Sequence, residues 1–141
     1  DLISAINGEH YGANKAVSDK DNNQVLLAKR VQELNQEYEK IFLAGHFCIF
    51  NADNSLEVLP ESVYSALNIK RIVLLEADIQ TISANLRYRD GKEYSEKSIA
   101  LLLEKEREQS ERISKQLKCH LDIHRMTFTD SDFECIASLF Y

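Results

Sequence analysis

The sequence is short of chain breakers, of thiols and of any long apolar run. It has one proline and four glycines in 141 residues. Long disorder is therefore not expected beyond residues 1–20, where Asn7-Gly8 and Tyr11-Gly12 give turn signals. Its three cysteines, Cys48, Cys119 and Cys135, lie in or beside apolar segments and form no CxxC pair, which reads as reduced, buried thiols of a cytoplasmic protein. No apolar run approaches the roughly 20 residues of a membrane span, and there is no signal-peptide pattern. The net charge of −6 argues against a broad nucleic-acid or anionic-membrane surface. No nucleophile elbow is present. Residue 1 is Asp and the one methionine is Met126, so the chain is expected to be a fragment or a processed product.

What is present is a dense apolar stretch, Lys40-Ile-Phe-Leu-Ala-Gly-His-Phe-Cys-Ile-Phe50, rich in β-branched and aromatic residues. A strand buried on both faces has this character, without the alternation of a one-sided strand. Ile41–Ala44 is expected as a central strand of a parallel sheet, with Gly45-His46 at its carboxyl end, where ligands sit in open α/β sheets. Before it, Asp21–Tyr38 reads as a helix. Asp21 and Gln24 form a capping-box pair, and Val25, Ala28, Val31, Leu34 and Tyr38 make one stripe. After it, Phe47–Phe50 and Leu56–Leu59 read as a small β-hairpin across the turn residues Asn51–Asn54, and Pro60 opens a short helix.

Ile72–Leu75 is a second buried strand. Asp78 caps a helix from Ile79 to about Arg89, which Asp90-Gly91 breaks. Ser95 caps a long helix to about Lys118 with apolar residues at both ends, Ile99, Leu102 and Leu103 early, Ile113 and Leu117 late. Its middle, Glu104–Arg112, is almost wholly polar, so the helix is expected to leave the body there, making 87–112 a lid-like region. Cys119–Ile123 is a third strand with His120, Asp122 and His124 on one face, and Thr129-Asp130 caps a last helix with Phe133, Ile136, Ala137 and Phe140 inward. The alternation predicts an α/β fold in a single domain, a three-layer parallel sheet flanked by helices. Three strands make a thin sheet, and a first strand–loop–helix unit is expected to be missing. The bared sheet edge is expected to drive self-association or binding of a partner.

Four motifs carry a resemblance: Asn23-Gln24 opening the first helix, Leu43-Ala-Gly-His-Phe47, Ile72-Val-Leu-Leu-Glu-Ala-Asp78, and Leu86-Arg-Tyr-Arg-Asp90 before the long helix. In this order and spacing, from about Asp21 to Phe140, the chain resembles small P-loop nucleoside-triphosphate-binding proteins of the adenylate-kinase-like kind, often labelled AAA-family ATP-binding proteins. The resemblance implies ATP with Mg²⁺ as donor in the intact protein and a nucleotide or small-molecule acceptor. The family's Gly-rich loop with its Lys is absent from this sequence. Gly8-Glu-His-Tyr-Gly12 lacks the GK[ST] ending and is read as a surface loop. Where relatives often carry an acidic residue before Gly-His-Phe, this chain has Ala44.

In kinases of this fold, arginines placed like Arg87 and Arg89 reach over the transferring phosphate as a lid closes, so the resemblance makes these two the catalytic candidates. Phosphoryl transfer gathers negative charge, and a guanidinium offers parallel donors to phosphate oxygens. The competing reading is ordinary cationic charge at a helix C-terminus. Asp90 is expected to orient an arginine. Gly45 and His46 are candidates for acceptor binding, against a plain backbone bend. Gln24 could face the same cleft or simply cap its helix. Cys119, His120 and His124 do not read as a metal site: His120 and His124 stand roughly 13 Å apart on an extended strand, too far for zinc ligands at about 2.3 Å. The rival to the kinase-like reading is a non-catalytic regulatory or interaction module of the same fold.

Overall fold

The structure, a computed structural model, describes residues 20–51 and 53–141. The side chains of residues 20–24 lie outside that description, and with them the capping role read for Asp21. The turn signals and surface loop read at the start of the chain also fall outside it. The chain divides into two compact units, Asp1–Asn68 and Ile69–Tyr141.

The first unit holds helix α1 (Lys20–Leu34), strands β1 (Cys48–Phe50) and β2 (Leu56–Val58), and the short helix α2 (Glu61–Ser65). Helix α1 stops a turn earlier than its sequence stripe suggests. Tyr38 and Val25, placed on the inner face by spacing, are exposed, and Val31 is the buried member of the stripe. The main correction concerns Ile41–Ala44. Residues 41–46 form neither strand nor helix, and Phe42 and Leu43 are 66% and 48% exposed. Strand structure begins at Cys48, which is almost fully buried. There β1 pairs antiparallel with β2, in register Cys48↔Val58 and Phe50↔Leu56. The reversal is built by side chains that mimic backbone turns: Asp53 accepts from Ser55 N at 2.9 Å, and Asn54 takes the left-handed conformation at φ 65°. Pro60 stands at the N-cap of α2, one residue before the position read for it. Tyr64 of α2 is buried and packs its ring 5.1 Å from that of Phe47.

The second unit runs β3 (Arg71–Glu76), α3 (Ile79–Asp90), α4 (Glu96–Leu117), β4 (His120–Arg125) and α5 (Asp130–Ser138). Strands β3 and β4 pair in parallel, in register Ile72↔Leu121 and Leu74↔Ile123. A parallel pair needs a crossover, and α3 with α4 supply it. Side chains alternate across a strand, so Ile72, Leu74 and Glu76 share one face and Arg71, Val73 and Leu75 the other. Helix α4 packs against both strands, and its Arg107 holds Glu76 through parallel bonds of 2.8 and 2.6 Å. The opposite face carries the Arg71–Asp122 pair at 2.5 Å. Arg71 also lies over the Phe140 ring, 5.8 Å from its centroid.

Helix α4 is the core of this unit. Ile99 and Ile113 are its most deeply buried apolar residues, each worth about 1.5–3 kcal/mol in removed apolar surface. Contrary to the sequence expectation, its middle does not leave the body. Gln109 and Ser114 are buried, and Ser110 is 0% exposed. The stripe continues through polar residues because their hydrogen bonds stay within the helix. Ser110 Oγ donates to the Arg107 carbonyl at 2.8 Å, and Ser114 Oγ to that of Glu111 at 2.9 Å. A second correction lies in α5, where Phe133, expected inward, is 78% exposed. The residue turned in is its neighbour Asp132. No helix among the described residues is long and apolar enough to cross a membrane.

Candidate functional site

The candidate site is built on the junction between α3 and α4. Asp78 starts α3 by accepting from Thr81 N at 2.8 Å, a side-chain cap for an otherwise orphaned amide. The helix ends at Gly91, which takes φ 68° and donates its N–H to the Arg87 carbonyl at 2.9 Å. Only glycine enters that left-handed region without cost from a Cβ. Arg87 and Arg89 thus occupy the last turn, where the helix dipole favours cations. Four residues past Asp90 the chain reaches Tyr94, and Ser95 then caps α4 by accepting from Ser98 N at 3.1 Å.

This turn gathers Arg89, Asp90 and Tyr94. Arg89 Nε donates to Asp90 Oδ1 at 2.5 Å and Nη2 to Oδ2 at 2.7 Å, a two-pronged pair. Tyr94 Oη donates to the same Oδ2 at 3.0 Å. The Asp90 side chain is only 11% exposed. The Arg89 hydrogen bonds hold its carboxyl below the usual range against the opposing effect of burial, with Tyr94 adding to the lowering. Arg89 is correspondingly raised by its bond to Asp90. Tyr94 is raised first by burial and then by donating to a carboxylate. Lys92 Nζ lies 5.1 Å from the centre of the Tyr94 ring. The pair with Asp90 uses two of the five N–H donors of the Arg89 guanidinium and leaves the rest directed elsewhere. Arg87 is more exposed and meets Glu93 at 3.4 Å.

The remaining sequence-predicted residues belong to the first unit. Gly45 and His46 are exposed and follow no strand. A Cβ added at Gly45 would meet nothing within 4 Å, so no close backbone approach requires glycine there. The His46 carbonyl accepts from Tyr64 Oη at 3.1 Å, which ties this segment to α2. Gln24 lies in α1, with its side chain outside the described residues.

A second polar cluster, around Asp132, lies outside the candidate site residues that the sequence brings forward. Asp132 is 5% exposed. It accepts from His124 Nε2 at 2.9 Å, from Thr127 N at 3.1 and 3.0 Å, from Thr127 Oγ1 at 3.0 Å and from Phe128 N at 2.6 Å. Burial alone would raise its carboxyl, but the His124 and Thr127 bonds outweigh burial and hold it far below the ordinary range. The signal was the spacing Thr129-x-x-Asp132, a capping box. The cluster organises the turn into α5, where Phe128 takes φ 59°. Among the described residues, no group of three or more His, Cys, Asp or Glu side chains is placed to hold a metal ion.

No protein-family model matches this chain, and no curated protein is significantly similar to it.

Proposed function

We propose that the chain is the body of an ATP-binding, nucleotide- or small-molecule-kinase-like protein of the cytoplasm, carrying out phosphoryl transfer or ATP hydrolysis on a three-layer parallel α/β sheet. The observation that carries this reading is the last turn of α3. Two arginines stand there beside a glycine-broken junction, one of them held by a carboxylate with donors to spare. Guanidinium groups fixed in this way suit the charge that gathers on a transferring phosphoryl group. In this reading Arg87 and Arg89 contact the phosphates and Asp90 orients Arg89.

The Gly-rich phosphate loop would come from outside these residues. Magnesium coordination needs oxygen ligands. Ala44 supplies no side-chain oxygen, so the ion would rely on the nucleotide's phosphates, on water and on that loop. Neither nucleic acid nor a membrane is part of the reading.

The test uses the natural full-length protein, titrated with ATP and Mg²⁺ by calorimetry and assayed for phosphate release. Arg89→Ala is expected to lower turnover by about 10²-fold or more while leaving ATP affinity nearly intact. An unchanged rate removes Arg89 from the mechanism.

A second reading, a non-catalytic regulatory or interaction module, draws on Ala44 and on the exposed Phe42 and Leu43, whose apolar surface suits self-association or a protein partner. Absence of ATP binding by the full-length protein makes that module the working description.

A further inference from the structure

We propose that Tyr94 is a positioning residue for Arg89, acting through Asp90. The inference rests on the phosphoryl-transfer reading for its functional consequence, but its geometry is independent of that reading. Neighbouring residues on a helix do not face each other, so Arg89 and Asp90 would not ordinarily hold a two-pronged pair. Here Asp90 is the last residue of α3, and Gly91 turns the chain left-handed directly after it. That turn carries the chain back so that the Tyr94 hydroxyl reaches Asp90 Oδ2, the oxygen that also takes Arg89 Nη2. Asp90 Oδ1 is engaged by Arg89 Nε. Both oxygens of the carboxylate are therefore spoken for, and its plane is fixed from two sides. Tyr94 is itself anchored, since the next residue, Ser95, caps the long helix that packs on the sheet.

The consequence is directional. With the carboxylate fixed, the Arg89 guanidinium has one plane in which both bonds are made, and its remaining donors point along a set direction. Without the Tyr94 hydroxyl, Asp90 can rotate about its side chain, and Arg89 follows it. Because a carboxylate two-pronged to arginine persists after that loss, the effect falls on orientation and not on folding.

Tyr94→Phe removes the hydroxyl and keeps the ring under Lys92. In the full-length protein, NMR exchange of the Arg89 Nε–H with solvent is expected to speed up by about threefold or more, and turnover to fall about tenfold at unchanged KM for ATP. Asp90→Asn is expected to produce a similar loss, and the double variant no more than the larger of the two, because both act on one linkage. Unchanged Arg89 exchange in Tyr94→Phe overturns the proposal. So do additive losses in the double variant, whereas faster exchange with unaltered turnover upholds the positioning by Tyr94 and removes Arg89 from the mechanism. If the wild-type protein neither binds nor hydrolyses ATP, the kinase-like reading fails by itself. The Arg89 exchange experiment still decides whether Tyr94 positions that arginine.

Discussion

Two apolar runs of similar composition meet opposite fates. Ile72-Val-Leu-Leu75, in the second unit, lies within a strand whose Ile72 and Leu74 are buried. Ile41-Phe-Leu-Ala44, in the first, adopts no strand and leaves Phe42 and Leu43 open. Hydrophobicity alone does not separate them. The second run has β4 in parallel register beside it and α4 across it. A strand is a property of a pair plus a cover, because its backbone donors and acceptors must be satisfied before its side chains can be buried.

The largest blow to this contrast comes from emptying the cover of the second unit. Ile113→Ala removes a side chain that is 1% exposed, and is expected to destabilise residues 69–141 by about 2–5 kcal/mol. Chemical denaturation read by hydrogen exchange in each unit checks it, and equal loss in both units would erase the distinction. A smaller effect separates the two described glycines. Gly91→Ala forces a Cβ into φ 68° and is expected to cost about 1–2 kcal/mol. Gly45→Ala, with open space and no left-handed angle, should be close to neutral in the same melts. The smallest effect belongs to the first unit. Tyr64→Phe deletes the 3.1 Å bond to the His46 carbonyl, an expected loss of about 0.5–1.5 kcal/mol. It should show as faster amide exchange near residues 46–48.

What could be read from the sequence follows the same division between local and distant causes. The cap at Asp78, the break at Asp90-Gly91, the cap at Ser95 and the hairpin around Asn51–Asn54 depend on residues within a few positions of one another, and sequence spacing reveals them. The fate of Ile41–Ala44 depends on what lies beside it in space. The middle of α4 departs from its hydropathy pattern for a different reason. Ser110 and Ser114 can be buried because their hydroxyls bond to carbonyls three residues back, so polar residues extend an apolar stripe that a hydropathy pattern shows as interrupted. Phe133 departs from its helical spacing because the carboxylate of Asp132 gathers donors and turns inward in its stead. At the candidate site, adjacency made the Arg89–Asp90 pair easy to anticipate. The role of Tyr94 depends on the left-handed turn at Gly91, which brings together groups that the linear order leaves apart.

The parallel ladder of the second unit also constrains how it assembles in time. Arg71 and Asp122 pair diagonally across the ladder although 51 residues separate them in the chain. Closing so long a loop costs entropy before any strand contact returns stability, and such non-local pairing slows folding. Helix α4 is the opposite case: its backbone hydrogen bonds are local, and helices of this length form on the microsecond scale. The long helix is expected to gain its turns ahead of the strands, with the ladder bonds between β3 and β4 closing last.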